Sequence, residues 1–173
     1  MEDINKILLP NIKYFCYATI HKTDSFCTFM KDIKSNIEKF DNLANVLAGK
    51  VYDFKKDIDI LLPVPKFKEE LNEPDFSLRL AELISKKTNI PIGKDLIKKI
   101  KKTRKLKAIP IDQRKKEIEN AFQLNDINFK GKKICIVDDV FSSGNTIKEI
   151  IKTLSYKYDT ADISVAILVV QEN

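Results

Sequence analysis

Glycine is scarce in these 173 residues, with only four, histidine occurs once, and the three cysteines never form a C-x-x-C pair. Each shortage closes off a class of chemistry. Cys16, Cys27 and Cys135 have no histidine cluster near them, so neither a disulfide framework nor a zinc site is expected, and they read as reduced packing thiols. His21 lies far from every motif and reads as a lone surface residue. No G-x-x-x-x-G-K-[ST] stretch is present, which excludes a Walker-type nucleotide loop, and no G-x-G-x-x-G supports a dinucleotide fold. Long apolar runs are missing too. The early stretches "ILLP" and "YFCYATI" are too short to cross a bilayer and lack the flanks of a signal peptide. A cytoplasmic protein without a membrane partner is expected.

What remains is the composition of a folded domain, 43% hydrophobic and 32% charged, long enough to bury a sizeable core. A single domain over 1–173 is expected, with a mainly helical N-terminal segment at 1–54 and an α/β core at 55–173. The net charge is +6, but lysine, isoleucine and asparagine are abundant throughout, so the total decides little. Its distribution says more. "KKIKKTRKLK", residues 98 to 107, carries seven cations in ten positions. This reads either as a contact for an anion or as a solvated basic loop, and self-repulsion predicts mobility over 98–115 without ligand.

Along the chain, "FCTFMKDIKSNIEKFDNLANVLAGKVYDF" has apolar residues near helical spacing, with Gly49 as a stop signal. "DIDILLPVP" reads as a short buried strand ended by prolines. Asp75 or Ser77 is placed to cap the helix "FSLRLAELISKKTN", where Phe76, Leu80, Leu83 and Ile84 share a face. An extended piece around "IPIGKDLIKKI" precedes the basic segment, and "IDQRKKEIENAF" is helical or mixed. "KGKKICIVDDV" is the clearest strand, followed by the helix "TIKEIIKTLSYKY" and the strand "DISVAILVV". The alternation predicts an α/β fold, a mostly parallel sheet flanked by helices, under a helical N-terminal hood.

One strand ends unusually, on two adjacent acids. In parallel α/β sheets ligands bind beyond the carboxyl ends of strands, which puts Asp138 and Asp139 at a crevice. The loop that follows, "FSSGNT", joins small residues to a helix start, so its backbone amides can surround a phosphate. Ser142, Ser143 and Thr146 add hydroxyls, and Gly144 lets the backbone come close. Acids beside a phosphate are tolerable if they meet hydroxyls instead. A sugar phosphate satisfies both demands.

"VDDVFSSGNT" resembles the 5-phosphoribosyl-1-diphosphate (PRPP) motif of type I phosphoribosyltransferases, and the aromatic after Asp-Asp-Val resembles the ComF subgroup. The likeness covers most of residues 26 to 170. "LLPVPKF" resembles the loop that holds pyrophosphate in these enzymes, with Lys66 its nearest cation. "LIKKIKKT" resembles the family's basic stretch, and "RKKEIENAF" places Arg114, Ala121 and Phe122 in register. Four departures stand out. "PDFSL" replaces an Arg-Gly-Phe-Asn-Gln run and keeps only Phe76, Leu106 stands for a usual Gln, Glu117 for a usual Asn, and the four-cysteine zinc module is not in this stretch.

The resemblance implies a type I phosphoribosyltransferase-like fold and transfer of a phosphoribosyl group from PRPP to an unidentified nitrogenous acceptor, with pyrophosphate released. It implies Asp139, Arg114 and Lys66 as catalytic residues. Asp138, Asp139, Phe141, Ser142, Ser143, Gly144, Asn145, Thr146, Arg104 and Lys105 would bind PRPP. Magnesium is the implied cofactor, met by Asp138 and Asp139 mainly through water or ligand. The alternative is a non-catalytic ComF-like protein that binds PRPP or single-stranded DNA in DNA uptake. A homodimer is left open.

Overall fold

The computed structural model describes residues 12–21, 24–67, 74–104, 109–157 and 162–172. In chain order these give β1 (Lys13–His21), α1 (Asp24–Ser35), α2 (Ile37–Tyr52), a short 3-10 turn (Lys55–Asp57), β2 (Ile60–Pro63) and α3 (Phe76–Thr88). β3 (Ile97–Lys99), α4 (Ile111–Ile118), β4 (Phe122–Leu124), β5 (Ile134–Phe141), α5 (Asn145–Lys157) and β6 (Ile163–Glu172) follow. Four strands form a parallel sheet in the order β1-β6-β5-β2, while β3 and β4 make a small antiparallel pair. Pro91 and Gly93 extend the sheet beyond β2: Leu61 donates its amide to Pro91 O, and Gly93 donates to Leu61 O. The expected mostly parallel α/β architecture is observed.

Strand composition follows from the sheet's two covered faces. In β5, Cys135 and Val137 join the core under α1, α2 and α3, whereas Ile134 and Ile136 join the core under α5 and the β3–β4 pair. Both faces are apolar, so the strand reads as a continuous hydrophobic run. β6 behaves alike, with Ala166 and Leu168 on one side, Val165 and Ile167 on the other. Full burial of an aliphatic side chain contributes roughly 1.5–3 kcal/mol, and the strands that present the acids are made almost wholly of such residues.

The same logic corrects the helical expectation for the first fifty residues. Lys13–His21 is an edge strand paired with β6, so the sheet draws on residues before 54. Tyr14 and Cys16 face one core while Phe15 and Tyr17 face the other. With both sets apolar, no alternation marks the strand. Aromatic and β-branched content does favour it. From Asp24 to Tyr52 the helical reading is correct, but Gly49 does not stop α2, which runs on to Tyr52. Ala44 and Ala48 are fully buried, and a Cβ on Gly49 would meet only the Lys87 ammonium, at 3.6 Å. Tertiary packing outweighs the glycine's cost of about 1 kcal/mol in helix propensity.

The capping expectation resolves in favour of Asp75, whose side chain accepts from the Leu78 amide at 2.9 Å. The segment 98–115 is not one mobile loop among its described residues: Lys98 and Lys99 belong to β3, Ile111–Ile118 is helical, and Ile109 is buried. Residues 105–108 lie outside the described residues. No helix among those described is long and apolar enough to cross a membrane.

Candidate functional site

A crevice of about 1060 Å³ opens at the carboxyl end of β5. Its floor is Asp138 to Ile147, the end of the strand, the following loop and the first turn of α5. α1 forms one wall through Phe26, Met30 and Lys34, and the start of α3 forms another through Phe76 and Ser77. Lys66 and Arg114 complete the rim.

The two acids have distinct surroundings. Asp138 Oδ1 accepts from Ser77 Oγ at 2.8 Å and from the Asp139 amide at 2.9 Å. Burial, reinforced by the charge of Asp139, pushes the Asp138 carboxyl well above the ordinary carboxylate range. Asp139 instead forms an ion pair with the Lys34 ammonium through Oδ2, a buried oxygen that receives no hydrogen bond among the described residues.

The loop after β5 turns tightly into α5. Gly144 is left-handed, φ +68°, and Lys148 donates to its carbonyl at 2.9 Å as α5 begins. The first amides of the helix have no partners within it and carry the positive end of its dipole. Phe141 is 2% exposed, packs edge-to-face on Tyr14 with centroids 6.0 Å apart, and sits under Gly144. A Cβ on Gly144 would lie 2.6 Å from Phe141 Cζ. Phe141 therefore shapes the loop from below while also lining the crevice floor. Ser142, Ser143, Asn145 and Thr146 line the crevice.

Gly144→Ala should lower stability by about 1–3 kcal/mol, from left-handed strain plus displacement of the ring. Urea unfolding would measure it. Phe141→Leu in the same chain should recover part of the loss, and a neutral Gly144→Ala would mean the loop is not built around that contact.

The cations divide. Lys66 donates from Nζ to Pro74 O at 2.5 Å, across the crevice rim. Arg114 is 8% exposed and donates from Nε to Ile109 O at 3.0 Å. Glu149 on α5 accepts from the Asn120 amide at 2.8 Å, tying the end of α4 to the helix behind the loop. Arg104 is not brought to the crevice. It pairs with Glu117 at 3.1 Å in a separate pocket of about 470 Å³, lined also by Lys101, Gln113 and Lys116. Hydrogen bonds from the Arg104 backbone and side chain hold Glu117 below its ordinary pKa. Glu117 supplies the carboxylate that engages Arg104. Lys105 lies outside the described residues.

Sequence reasoning missed two site residues, Ser77 and Lys34. Ser77 was named only as a capping alternative, and its hydroxyl faces Asp138 instead. Lys34 carries no motif at all. A helix with Met30 and Phe26 facing inward also turns Lys34 toward the crevice, and only the fold reveals what it meets.

No group of three or more His, Cys, Asp or Glu side chains that could hold a metal exists among the described residues. The donor set fits magnesium only as two carboxylates meeting an ion whose remaining oxygens come from ligand and water.

With a parallel sheet whose inner strand ends in paired acids and a small-residue loop, joined to the motif at 137–146, the chain is similar to ComF-like proteins of the type I phosphoribosyltransferase class. It is 27% identical over 124 residues to Competence protein F of Haemophilus influenzae, an alignment covering 65% of this chain and 53% of that protein. The chain thus spans about half the length of the curated relative it matches. No family model matches it. Among solved structures, a purine phosphoribosyltransferase from Pyrococcus horikoshii is similar over 88% of this chain and 78% of its own, at 18% identity and a TM-score of 0.49.

Proposed function

We propose that the crevice binds PRPP and that the protein transfers its phosphoribosyl group to a nitrogenous acceptor, releasing pyrophosphate. The single observation behind this reading is the juxtaposition of Asp138 and Asp139 with the loop of Ser142–Thr146 on one crevice floor. The loop amides and the Ser142, Ser143 and Thr146 hydroxyls hold the 5′-phosphate. Asp139 accepts from a ribose hydroxyl, and Ser77 keeps Asp138 oriented for the other. Lys66 and Arg114, on the rim, face the pyrophosphate side, where leaving-group charge must be neutralised. Magnesium, held at Asp138 and Asp139 through water and ligand oxygens, would add to that neutralisation when bound. Asp139 is also the candidate base toward an acceptor N–H.

A second reading, single-stranded DNA binding in competence, rests on the exposed Lys98, Lys101, Lys102 and Arg104, which lie outside the crevice lining. Backbone binding of that kind weakens steeply with salt. Calorimetry with PRPP and magnesium, followed by pyrophosphate release over a panel of purine and pyrimidine bases, tests the first reading. Saturable heat that pyrophosphate competes away is the expected result. No heat with PRPP, together with salt-sensitive DNA binding lost when Lys101, Lys102 and Arg104 become Ala, would transfer the assignment to DNA.

A further inference from the structure

Lys34 brings a positive charge onto the acid pair from a helix more than a hundred residues earlier in the chain. It lies in the last turn of α1, where a cation is favoured by the helix dipole. Its side chain is 36% exposed and that of Asp139 only 15%. The ammonium also lies 5.0 Å from the centroid of the Phe76 ring, a second attraction that holds it over the crevice. Behind it, Phe26, Met30 and Ile33 anchor α1 in the core.

The partner oxygen is what gives this contact a consequence. Asp139 Oδ2 is buried and has no hydrogen-bond donor among the described residues, so the ammonium of Lys34 is its counter-charge. A ligand hydroxyl or a metal-bound water that reaches this oxygen must displace that ammonium. A ligand that brings no donor or cation to the same place leaves the pair intact.

From this we infer that Lys34 is an internal counter-ion that is exchanged for the ligand's own donors, and so a specificity-determining residue of the crevice. It sets how far the site separates a sugar phosphate, which must displace it from Asp139, from a bare phosphate, which occupies the loop and leaves the pair intact, and its presence holds the preference for the sugar phosphate down. In the free protein it also holds the last turn of α1 over the crevice. The inference rests on the ribose-phosphate reading of the crevice for the identity of the ligand, but not for the existence of the exchange.

Calorimetry of wild type and Lys34→Met with ribose 5-phosphate and with inorganic phosphate, at one ionic strength, tests it. Removing the cation lowers attraction for both anions, so the ratio of the two affinities isolates the exchange. That ratio should rise about two- to five-fold in Lys34→Met, the range of a partly exposed ion pair. Lys34→Arg should keep the wild-type ratio. An unchanged or smaller ratio in Lys34→Met would overturn the inference.

If neither protein binds ribose 5-phosphate, the parent reading fails, and Mn²⁺ binding followed by electron paramagnetic resonance decides the exchange on its own. Lys34→Met should then bind Mn²⁺ more tightly than wild type, and Asp139→Asn in the same chain should remove the gain. Equal Mn²⁺ binding in wild type and Lys34→Met would reject Lys34 as the competing cation. Amide hydrogen exchange supplies a readout independent of any ligand. Exchange over residues 28–35 should speed up in Lys34→Met, and identical exchange would show that the contact does not hold the helix.

Discussion

Titrated with ribose 5-phosphate, the double variant Asp138→Asn, Asp139→Asn should bind at least about a hundredfold more weakly than wild type, because each hydrogen bond to a charged acceptor contributes roughly 1.5–3 kcal/mol. The fold should survive, since neither acid supports the core: the apolar contacts of β5 come from Ile134 to Val137, from Val140 and from Phe141. Circular dichroism of the variant should therefore match wild type. Loss of affinity with loss of fold would assign the acids a structural role, and unchanged affinity would remove the ribose hydroxyls from this part of the crevice.

The second large effect runs in the opposite direction, toward stability. Burial first, then the charge of Asp139, raises the Asp138 carboxyl in the folded chain. Between the unfolded and the folded pKa the native state binds more protons than the unfolded one, so stability falls as pH rises through that window. Each unit of difference removes about 1.4 kcal/mol once the pH lies above both values. Asp138→Asn keeps an acceptor for Ser77 and for the Asp139 amide without the charge. The free variant should melt higher than wild type near pH 8, by roughly 2–4 °C per kcal/mol gained, and the difference should shrink as the pH falls toward 4. A variant that melts lower than wild type at pH 8 would contradict the assignment of Asp138 as a destabilised acid. The expected pairing of higher stability with weaker ligand binding is that of a residue kept for function.

How far the chain could be read without coordinates depended on whether the relevant residues are neighbours in sequence. The acid pair, the loop and the opening of α5 are contiguous at 138–146, so strand end, phosphate cradle and helix start were legible together. β5 and β6 were legible because strands covered on both faces have nothing polar to interrupt them. β1 has the same property but adjoins helices, and Tyr14 and Phe15 serve different cores, which periodicity cannot show. Gly49 was a fair stop signal on local grounds, overridden by the packing of α2. The site residues that escaped, Lys34 and Ser77, are joined to the acids only by the fold. Arg104 shows the converse. Its charge was legible, but its engagement by Glu117 required α4 to bring a carboxylate alongside it.

The central claim is that one ligand spans the loop and the acids, its phosphate on the first turn of α5 and its hydroxyls on Asp139. Backbone amide NMR during titration with ribose 5-phosphate and magnesium tests this most directly. Saturable shifts are expected to concentrate on Ser142 to Ile147 and on Asp139, the ones at Asp139 being absent when inorganic phosphate is the ligand. Shifts confined to Lys101, Arg104 and the neighbouring residues of α4, with the 142–147 amides unmoved, would contradict it.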